Sequence, residues 1–325
     1  MARAAAGEEL FPRTLGAEAW GPERVYPLPL RTARGLWRFT RRKPLGAFGA
    51  LLIAVLLVMA LFGTDLTLGP LHLPGFAPYK WNSYNLLRVQ RTKLKPPSAA
   101  HVMGTDQLGR DVFSRILYGA RISMGIGMGV FAISTVLSTA LTLISGYYVE
   151  TVDLVLQRVL EVVGFIPELI LIIAVFSIYG PSPLSMILTL GVLNGLRTSR
   201  VLRAVVISVR SQPFIESAKA LGARDRRIIV SHVLPNVMYL IIISATGAVA
   251  AAITIEAGLA IIGYGLDPNL PSWGNMMNAS RELLRRAPYL ALFPGLMIAT
   301  AIFGFRLLGD ALRDVLDPRL RGRGR

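Results

Sequence analysis

The sequence predicts an all-helical protein that crosses a membrane six times, and three observations lead to this prediction. Hydrophobic residues make up 53% of the 325 residues and charged residues only 17%, whereas a soluble domain is about a quarter charged. The chain is nevertheless strongly basic, with a net charge of +16. Long uncharged runs alternate with basic connections, as expected when the runs lie in lipid and the connections at its surface. This hydropathy excludes a soluble nucleic-acid-binding protein, so nucleic acid is not an expected partner.

Six segments are poor in charge and have the roughly 20 residues that a helix needs to cross a bilayer. The first follows Arg41, Arg42 and Lys43, after too long a polar leader to be a cleaved signal peptide. A Gly-Pro-Ser-Pro turn ends the third segment, and Glu256 interrupts the fifth. The predicted spans are 44–63, 122–149, 161–180, 184–206, 237–263 and 288–305.

Basic residues predict the orientation of these spans. Six spans place the segments 1–44, 148–161, 197–235 and 306–325 on the same side of the membrane. These segments contain 24 of the 35 Lys and Arg residues. Lys and Arg residues in short loops close to the ends of spans resist translocation across the membrane. The sequence therefore predicts a multi-pass protein of the cell membrane with both termini in the cytoplasm. Residues 64–121 would form an extracytoplasmic loop, and 311–325 a basic cytoplasmic tail.

The leader, residues 1–43, carries arginines interleaved with Leu36, Trp37 and Phe39 just before the first span. This pattern favours a short helix in the membrane interface, in contact with lipid. A disordered basic leader is the alternative. Four prolines make residues 1–30 look extended or disordered.

The connection between the fourth and fifth spans has the pattern of two short helices that meet at a sharp angle. Pro213 suits the first turn of a helix, and Glu216 lies where a helix N-terminus favours an anion. Gly222 can end this helix in the left-handed conformation, and Asp225 can cap the next one. Two small residues would let another backbone come close: Ala218 and Ala220. The segment is therefore either a docking surface or a solvated amphipathic connector.

Four motifs occur in order at compatible positions of this topology. They are HVMGTDQLGRDVFSR at 101–115, Glu216-Ser217-Ala218 with Gly222 and Leu234-Pro235, GYG with PSWGNM at 263–276, and LLGDALRD with LDPRLR at 307–321. Together they resemble the dipeptide/oligopeptide/nickel permease family of ABC importers, and more narrowly its C-type subunit, from about Trp37 onward. Ser217 departs from the alanine in the middle of the loop motif, and Arg306 stands where many relatives have Asn.

The resemblance implies a type I ABC importer permease fold, with a core at 122–310 and a cytoplasmic coupling helix within 211–235. The residues that would contact an ATPase subunit are Glu216, Ser217, Ala218, Lys219, Ala220 and Gly222, with Leu234 and Pro235 re-entering the membrane. The implied partners are a homologous second permease, two ATP-binding subunits and an extracytoplasmic solute-binding protein. ATP and Mg²⁺ would bind the partner subunits, and this chain would bind no cofactor or metal. The absence of a G-x-x-x-x-G-K-[ST] phosphate loop agrees with this division of labour.

Further candidate residues lie outside the coupling loop. The extracytoplasmic motif comprises Gly104, Thr105, Asp106, Gly109, Arg110 and Asp111. It would form either an ion-pair network that packs on the partner permease or a rim that receives a solute-binding protein. Glu256 and Glu168 fall within predicted spans, where a charge faces a cavity or a partner by default. Each would therefore line or gate the translocation path, or have a structural role, and Pro167 would kink the third span.

These observations favour a non-catalytic permease that forms half of the path of an ATP-driven importer. An intramembrane hydrolase is disfavoured because the chain has no cysteine and no H-E-x-x-H motif. A passive channel or a scaffold protein remains an alternative of another class. Di- or oligopeptides are the expected solutes, and nickel, glutathione or another small solute the alternatives.

Overall fold

The computed structural model describes residues 40–41, 43–68, 71–82 and 92–316. The interfacial helix predicted for the leader and most of the basic tail lie outside these residues. The described helices are α1 (Pro44–Phe62), α2 (Val112–Tyr147), α3 (Thr151–Phe165), α4 (Glu168–Tyr179), α5 (Pro183–Arg210), α6 (Pro213–Ala220), α7 (Asp225–Ile228), α8 (Leu234–Ile261), α9 (Trp273–Ser280) and α10 (Tyr289–Leu316). A π-helical turn, Ile229–Val233, joins α7 to α8, and a single 3₁₀ turn, Arg281–Leu283, follows α9. Two short antiparallel strands, β1 (Leu66–Leu68) and β2 (Leu71–Leu73), follow α1.

Four helical stretches in the described part of the chain are long and apolar enough to cross a membrane. They are Pro44–Phe62, Val112–Tyr147, Asp225–Ile261 and Tyr289–Leu316. Helices α3 and α4 would add a fifth if the bent pair counts as one span. The structure thus confirms a mostly helical membrane protein with four to five candidate spans. Helix α5 has 28 residues, but it carries Arg197, Arg200 and Arg203 and does not meet the same criterion of apolarity.

The third predicted span, 161–180, is not a continuous helix. Helices α3 and α4 are bent by 85° at the break between them. Ile166 and Pro167 both have extended backbone, and Pro167 has no N–H to continue the helix. The predicted kink at Pro167 is confirmed, but the angle between the two helices is much larger than that of a kink within one span. The 12 residues of α4 reach only about 18 Å, too short alone for a bilayer core of about 30 Å.

Helix α2 is the centre of the fold, and it begins at Val112, ten residues before the predicted span at 122. Asp111 caps its N-terminus by accepting a hydrogen bond from the Ser114 N–H. Close packing of α2 on α5 depends on small residues, because a Cβ on Gly191 or Gly195 would meet α2 side chains at 2.8 to 3.1 Å. Helix α2 also buries a stripe of hydroxyl side chains: Ser123, Ser134, Ser138, Thr142 and Ser145.

Helix α1 packs on α10 through glycine. A Cβ on Gly49 would lie 2.8 Å from the Gly304 carbonyl oxygen, and one on Gly304 would lie 3.2 Å from Ile53. The buried side of α1 repeats every three or four residues: Gly46, Gly49, Ile53, Leu56 and Ala60. Its other side exposes large apolar side chains, among them Leu51, Val55 and Val58. Such an arrangement suits a helix with one face on protein and the other on lipid.

Candidate coupling segment and translocation groove

The segment that joins α5 to α8, residues 211–235, is called the coupling segment below. Pro213 is the first residue of α6, as the sequence predicts. Ile215 is fully buried and anchors α6 in a cluster that includes Val206, Ile228 and Val237. The remainder of α6 points outward, and its exposed residues are Pro213, Phe214, Glu216, Ser217, Lys219 and Ala220, with Ala218 half-buried. One apolar side chain therefore holds the helix while the other face stays open.

Gly222 ends α6 in the left-handed conformation, with φ of +79°. A Cβ there would meet no atom within 4 Å, so glycine is needed for the backbone angle alone. The Ala223 N–H then bonds to the Ala218 carbonyl oxygen at 3.0 Å, which closes the end of the helix. Leu221 beside it is 88% exposed. Further along, Leu234 is half-buried and Pro235 is exposed.

The expectation that Asp225 caps the second helix is wrong. Asp225 is the first residue of α7, and the capping position, Arg224, makes no side-chain bond to the helix. The Asp225 carboxylate instead accepts a hydrogen bond from the hydroxyl of Tyr147 at 2.6 Å. Tyr147 is the last residue of α2, so this bond ties the coupling segment to the central helix.

Two cations complete this arrangement around the Tyr147 ring. The Lys219 ammonium lies 5.5 Å from the ring centroid, and the Arg210 guanidinium carbon lies 5.8 Å from it. Both distances are within the range of cation–π attraction. Lys219 belongs to α6 and Arg210 to the end of α5. We call Tyr147, Asp225, Lys219 and Arg210 the tyrosine clamp, because a single ring joins the ends of α2, α5, α6 and α7.

At the opposite end of α8, the predicted extracytoplasmic motif folds around buried carboxylates. Asp106 is 6% exposed and accepts hydrogen bonds from the backbone N–H groups of Leu108 and Arg110, both at 2.9 Å. The Arg110 side chain donates to the same carboxylate at 2.7 Å. Asp111 is 4% exposed and lies 2.9 Å from His101 Nδ1. These charged groups therefore stabilise the loop itself and do not project from it.

The glycines and Thr105 of the motif fix the path of the loop. Gly104 and Gly109 have φ of +78° and +75°. Thr105 donates from its hydroxyl to the Thr92 carbonyl oxygen at 2.5 Å. Tyr289, at the start of α10, donates to the carbonyl oxygens of Lys95 and Thr105, both at 2.9 Å. The loop is thereby fastened to α10.

Glu256 is 1% exposed and lies inside the packing of α2, α8 and α9. Its Oε2 accepts a hydrogen bond from the Ser123 hydroxyl at 3.3 Å, and the Ser123 oxygen accepts one from the backbone N–H of Trp273 at 3.2 Å. A Cβ on Gly274 would lie 2.9 Å from Glu256 Oε1. The carboxylate thus faces the first residues of α9, where a helix N-terminus favours a negative charge. This location is internal, away from the open groove described below.

Glu168 begins α4 and pairs with Arg197 of α5 at 2.5 Å. Asp153 of α3 pairs with Arg203 of α5, whose Nε lies 2.6 Å from the carboxylate. Arg197 and Arg203 therefore both have carboxylate partners within the chain. The two ion pairs hold the bent α3–α4 pair on α5.

An open groove of about 540 Å³ runs between α8 and α10. Its walls are Gly247, Ala250, Ala251, Thr254, Ile255, Arg306 and Asp310. Sequence reasoning missed the groove and the tyrosine clamp as sites. Arg306 departs from the family pattern, and that departure is the signal that could have pointed to the groove. A tyrosine at the end of a span gives no comparable signal, because interfacial tyrosines are common.

Comparison with known proteins agrees with the motifs. The family described as binding-protein-dependent transport system inner membrane component matches residues 111–322. The dipeptide transport system permease protein DppC of Alkalihalophilus pseudofirmus is 38% identical over 246 residues, which cover 76% of this chain and 81% of the relative.

Two further relatives carry the name glutathione transport system permease protein GsiD. The protein from Escherichia coli is 34% identical over 303 residues, covering 92% of this chain and 94% of its own length. The protein from Pectobacterium atrosepticum is 32% identical over 288 residues, covering 89% of this chain and 91% of its own length. The chain therefore belongs to the family of inner-membrane permease components of binding-protein-dependent ABC importers.

Proposed function

We propose that this permease forms one half of the translocation path of an ATP-driven importer and receives its energy through helix α6. The single observation that carries the proposal is the geometry of α6. It is anchored by one buried residue, Ile215, and exposes Glu216, Ser217 and Lys219 on its outer face. A helix presented in this way fits a groove on another protein.

The phosphate chemistry would belong to the partners. The sequence contains no G-x-x-x-x-G-K-[ST] loop, so ATP and Mg²⁺ would bind two separate ATPase subunits. Closure of these subunits around ATP would move α6, and the tyrosine clamp would pass the movement to α2. A second, homologous permease would complete the path, and an extracytoplasmic binding protein would deliver the solute.

We infer six spans with both termini in the cytoplasm. Helix α5, with 28 residues, is long enough to cross a bilayer. Two of its arginines are paired with carboxylates of α3 and α4, which lowers the cost of placing them near lipid. The coupling segment adds a cluster of cations at one end: Lys219, Arg224, Arg226 and Arg227. Such a concentration of positive charge marks the cytoplasmic side.

A di- or oligopeptide is the solute that the comparisons favour. Relatives named as dipeptide and glutathione permeases both align over more than three quarters of this chain. Both named solutes carry peptide bonds and free charged groups. Nickel or another small solute is the second candidate, since the family resemblance includes such transporters.

The test of coupling is a charge reversal on α6. In the reconstituted complex, Glu216→Arg should lower the affinity for the ATPase subunits about tenfold or more, as loss of an important interface residue does. Gly222→Pro should have a similar effect by breaking the end of α6. The control is Glu282→Arg, the same reversal at an exposed position beyond α9. Unchanged assembly and unchanged binding-protein-stimulated ATP hydrolysis in both α6 variants would contradict the proposal.

A further inference from the structure

The groove between α8 and α10 contains two opposite charges at the depth of the membrane core, because α10 continues to Leu316 and does not end at 305 as the predicted sixth span does. A Cβ on Gly309 of α10 would lie 2.7 Å from the hydroxyl oxygen of Thr246, near the middle of α8. Arg306 and Asp310 lie within one helical turn of Gly309 on α10. Both charges therefore lie level with the middle of α8.

Neither charge is neutralised by a residue that the structure describes. In the part of the protein that the structure describes, no hydrogen bond or ion pair involves Arg306 or Asp310, and both side chains are exposed to the groove. An arginine and an aspartate four residues apart on a helix are placed to pair with each other, yet here they do not. Since unpaired charges at membrane depth are costly, such residues mark the path of a solute or ion.

The opposite wall leaves room for a ligand. A Cβ on Gly247 would meet no atom within 4 Å, and Ala250 and Ala251 beside it carry only methyl groups. Thr254 adds a hydroxyl group, which donates to the Ala250 carbonyl oxygen at 2.8 Å and can still accept a hydrogen bond. The volume of about 540 Å³ is within the range of small-molecule sites.

We propose that this groove is a contact site for a zwitterionic solute during translocation, with its carboxylate on Arg306 and its ammonium group on Asp310. A purely anionic ligand would leave Asp310 unpaired, and a metal cation would leave Arg306 unpaired. A short peptide with free termini neutralises both groups. The inference rests on the proposed importer function and assigns a solute class to one part of its path.

The chain contains no cysteine, so single cysteines can be labelled without background. In the complex with the second permease, the ATPases and the binding protein, Ala251→Cys should react with a water-soluble thiol reagent. Dialanine, added during ATP turnover, should slow this reaction.

The control is Met128→Cys, an exposed position on α2 beside Gly127, which packs on Val249 of α8. It lies at similar depth but outside the groove, and it should react slowly with or without dialanine. An unreactive Ala251→Cys, or equal reactivity at both positions, would overturn the proposal.

The charges are tested by substitution. Arg306→Gln should lower dialanine uptake about tenfold, as expected when one charged hydrogen bond is lost, and should remove the protection of Ala251→Cys. Arg306→Lys should restore part of both. The complex should assemble normally and its ATPase should still respond to the binding protein.

Three results would count against the site, and they are distinguishable. Unchanged uptake in Arg306→Gln would overturn the solute contact alone. Loss of the second permease from Arg306→Gln during purification would show that the residue pairs with that subunit. An unaltered complex that imports neither dialanine nor glutathione would overturn peptide import, and the zwitterion site with it.

Discussion

The tyrosine clamp yields the sharpest prediction, because one atom can be removed without disturbing the rest. Tyr147→Phe deletes the hydroxyl that bonds to Asp225 at 2.6 Å and retains the ring beside Lys219 and Arg210. The ring is 4% exposed, so phenylalanine keeps the same packing. The substitution therefore isolates the contribution of a single hydrogen bond.

A hydrogen bond to a charged group contributes about 1.5–3 kcal/mol. Asp225 is exposed and water can solvate it once the bond is lost, which places the expected loss near the lower bound. A loss of about 1.5 kcal/mol corresponds to about a tenfold change in the equilibrium between attached and detached coupling segments. The cation–π contacts to the ring should remain.

The assay is the number of solute molecules imported per ATP hydrolysed, in the reconstituted complex. Tyr147→Phe should lower this ratio while ATP hydrolysis continues, because a looser segment moves without moving α2. The control, Tyr148→Phe, removes a hydroxyl from the adjacent and more exposed ring. Asp225→Asn should weaken the same contact, and the double variant should add little to either single change.

If Tyr147→Phe and Tyr148→Phe give the same ratio as the unaltered protein, the clamp does not transmit movement. If Tyr147→Phe lowers thermal stability and leaves the ratio unchanged, the bond has a structural role only. Either result would refute the reasoning.

Three further predictions concern stability, measured as the thermal unfolding midpoint of the purified permease in detergent. Gly274→Ala should destabilise by about 1–3 kcal/mol, because its Cβ would lie 2.9 Å from Glu256 Oε1; an unchanged midpoint would show that α9 can move. Tyr289→Phe should lower the free energy of unfolding by about 1 kcal/mol and expose the loop before α2 to proteolysis. Unchanged protease resistance would show that other contacts hold this loop. Gly49→Leu should detach α1 from α10, since its side chain would overlap the Gly304 carbonyl; Leu51→Ala on the exposed side is the control.

Local chemistry made part of the fold predictable from the sequence. Pro213 and Gly222 have conformational requirements of their own, so the bounds of α6 followed from residue type. The family motifs led to the permease assignment, which the comparisons confirm. The bend at Pro167 was predictable as a kink. Its angle was not, because it depends on the extended backbone of two consecutive residues, which the pattern of side chains does not reveal.

The remaining differences have one physical source, which is pairing between residues distant in the chain. Asp225 was expected to cap its own helix, but the tyrosine 78 positions earlier competes for its carboxylate. The ion pairs of Arg197 and Arg203 were not predictable, because their partners, Glu168 and Asp153, lie 29 and 50 positions away. The groove at Arg306 likewise needs the register of α8 on α10, which no single helix reveals.

The break between α3 and α4 bears on how this protein is made. At Ile166 and Pro167 the backbone leaves the helix, and apolar side chains around it, including Phe165 at 85% exposure, are not covered by the residues that the structure describes. Carbonyl groups freed by such a break cannot face hydrocarbon without a large cost. A permease synthesised in excess of its partners would therefore present an unfinished surface to the bilayer and to membrane proteases. We expect its cellular lifetime to depend on co-expression of the rest of the complex, so that the same bend limits its abundance to that of its partners.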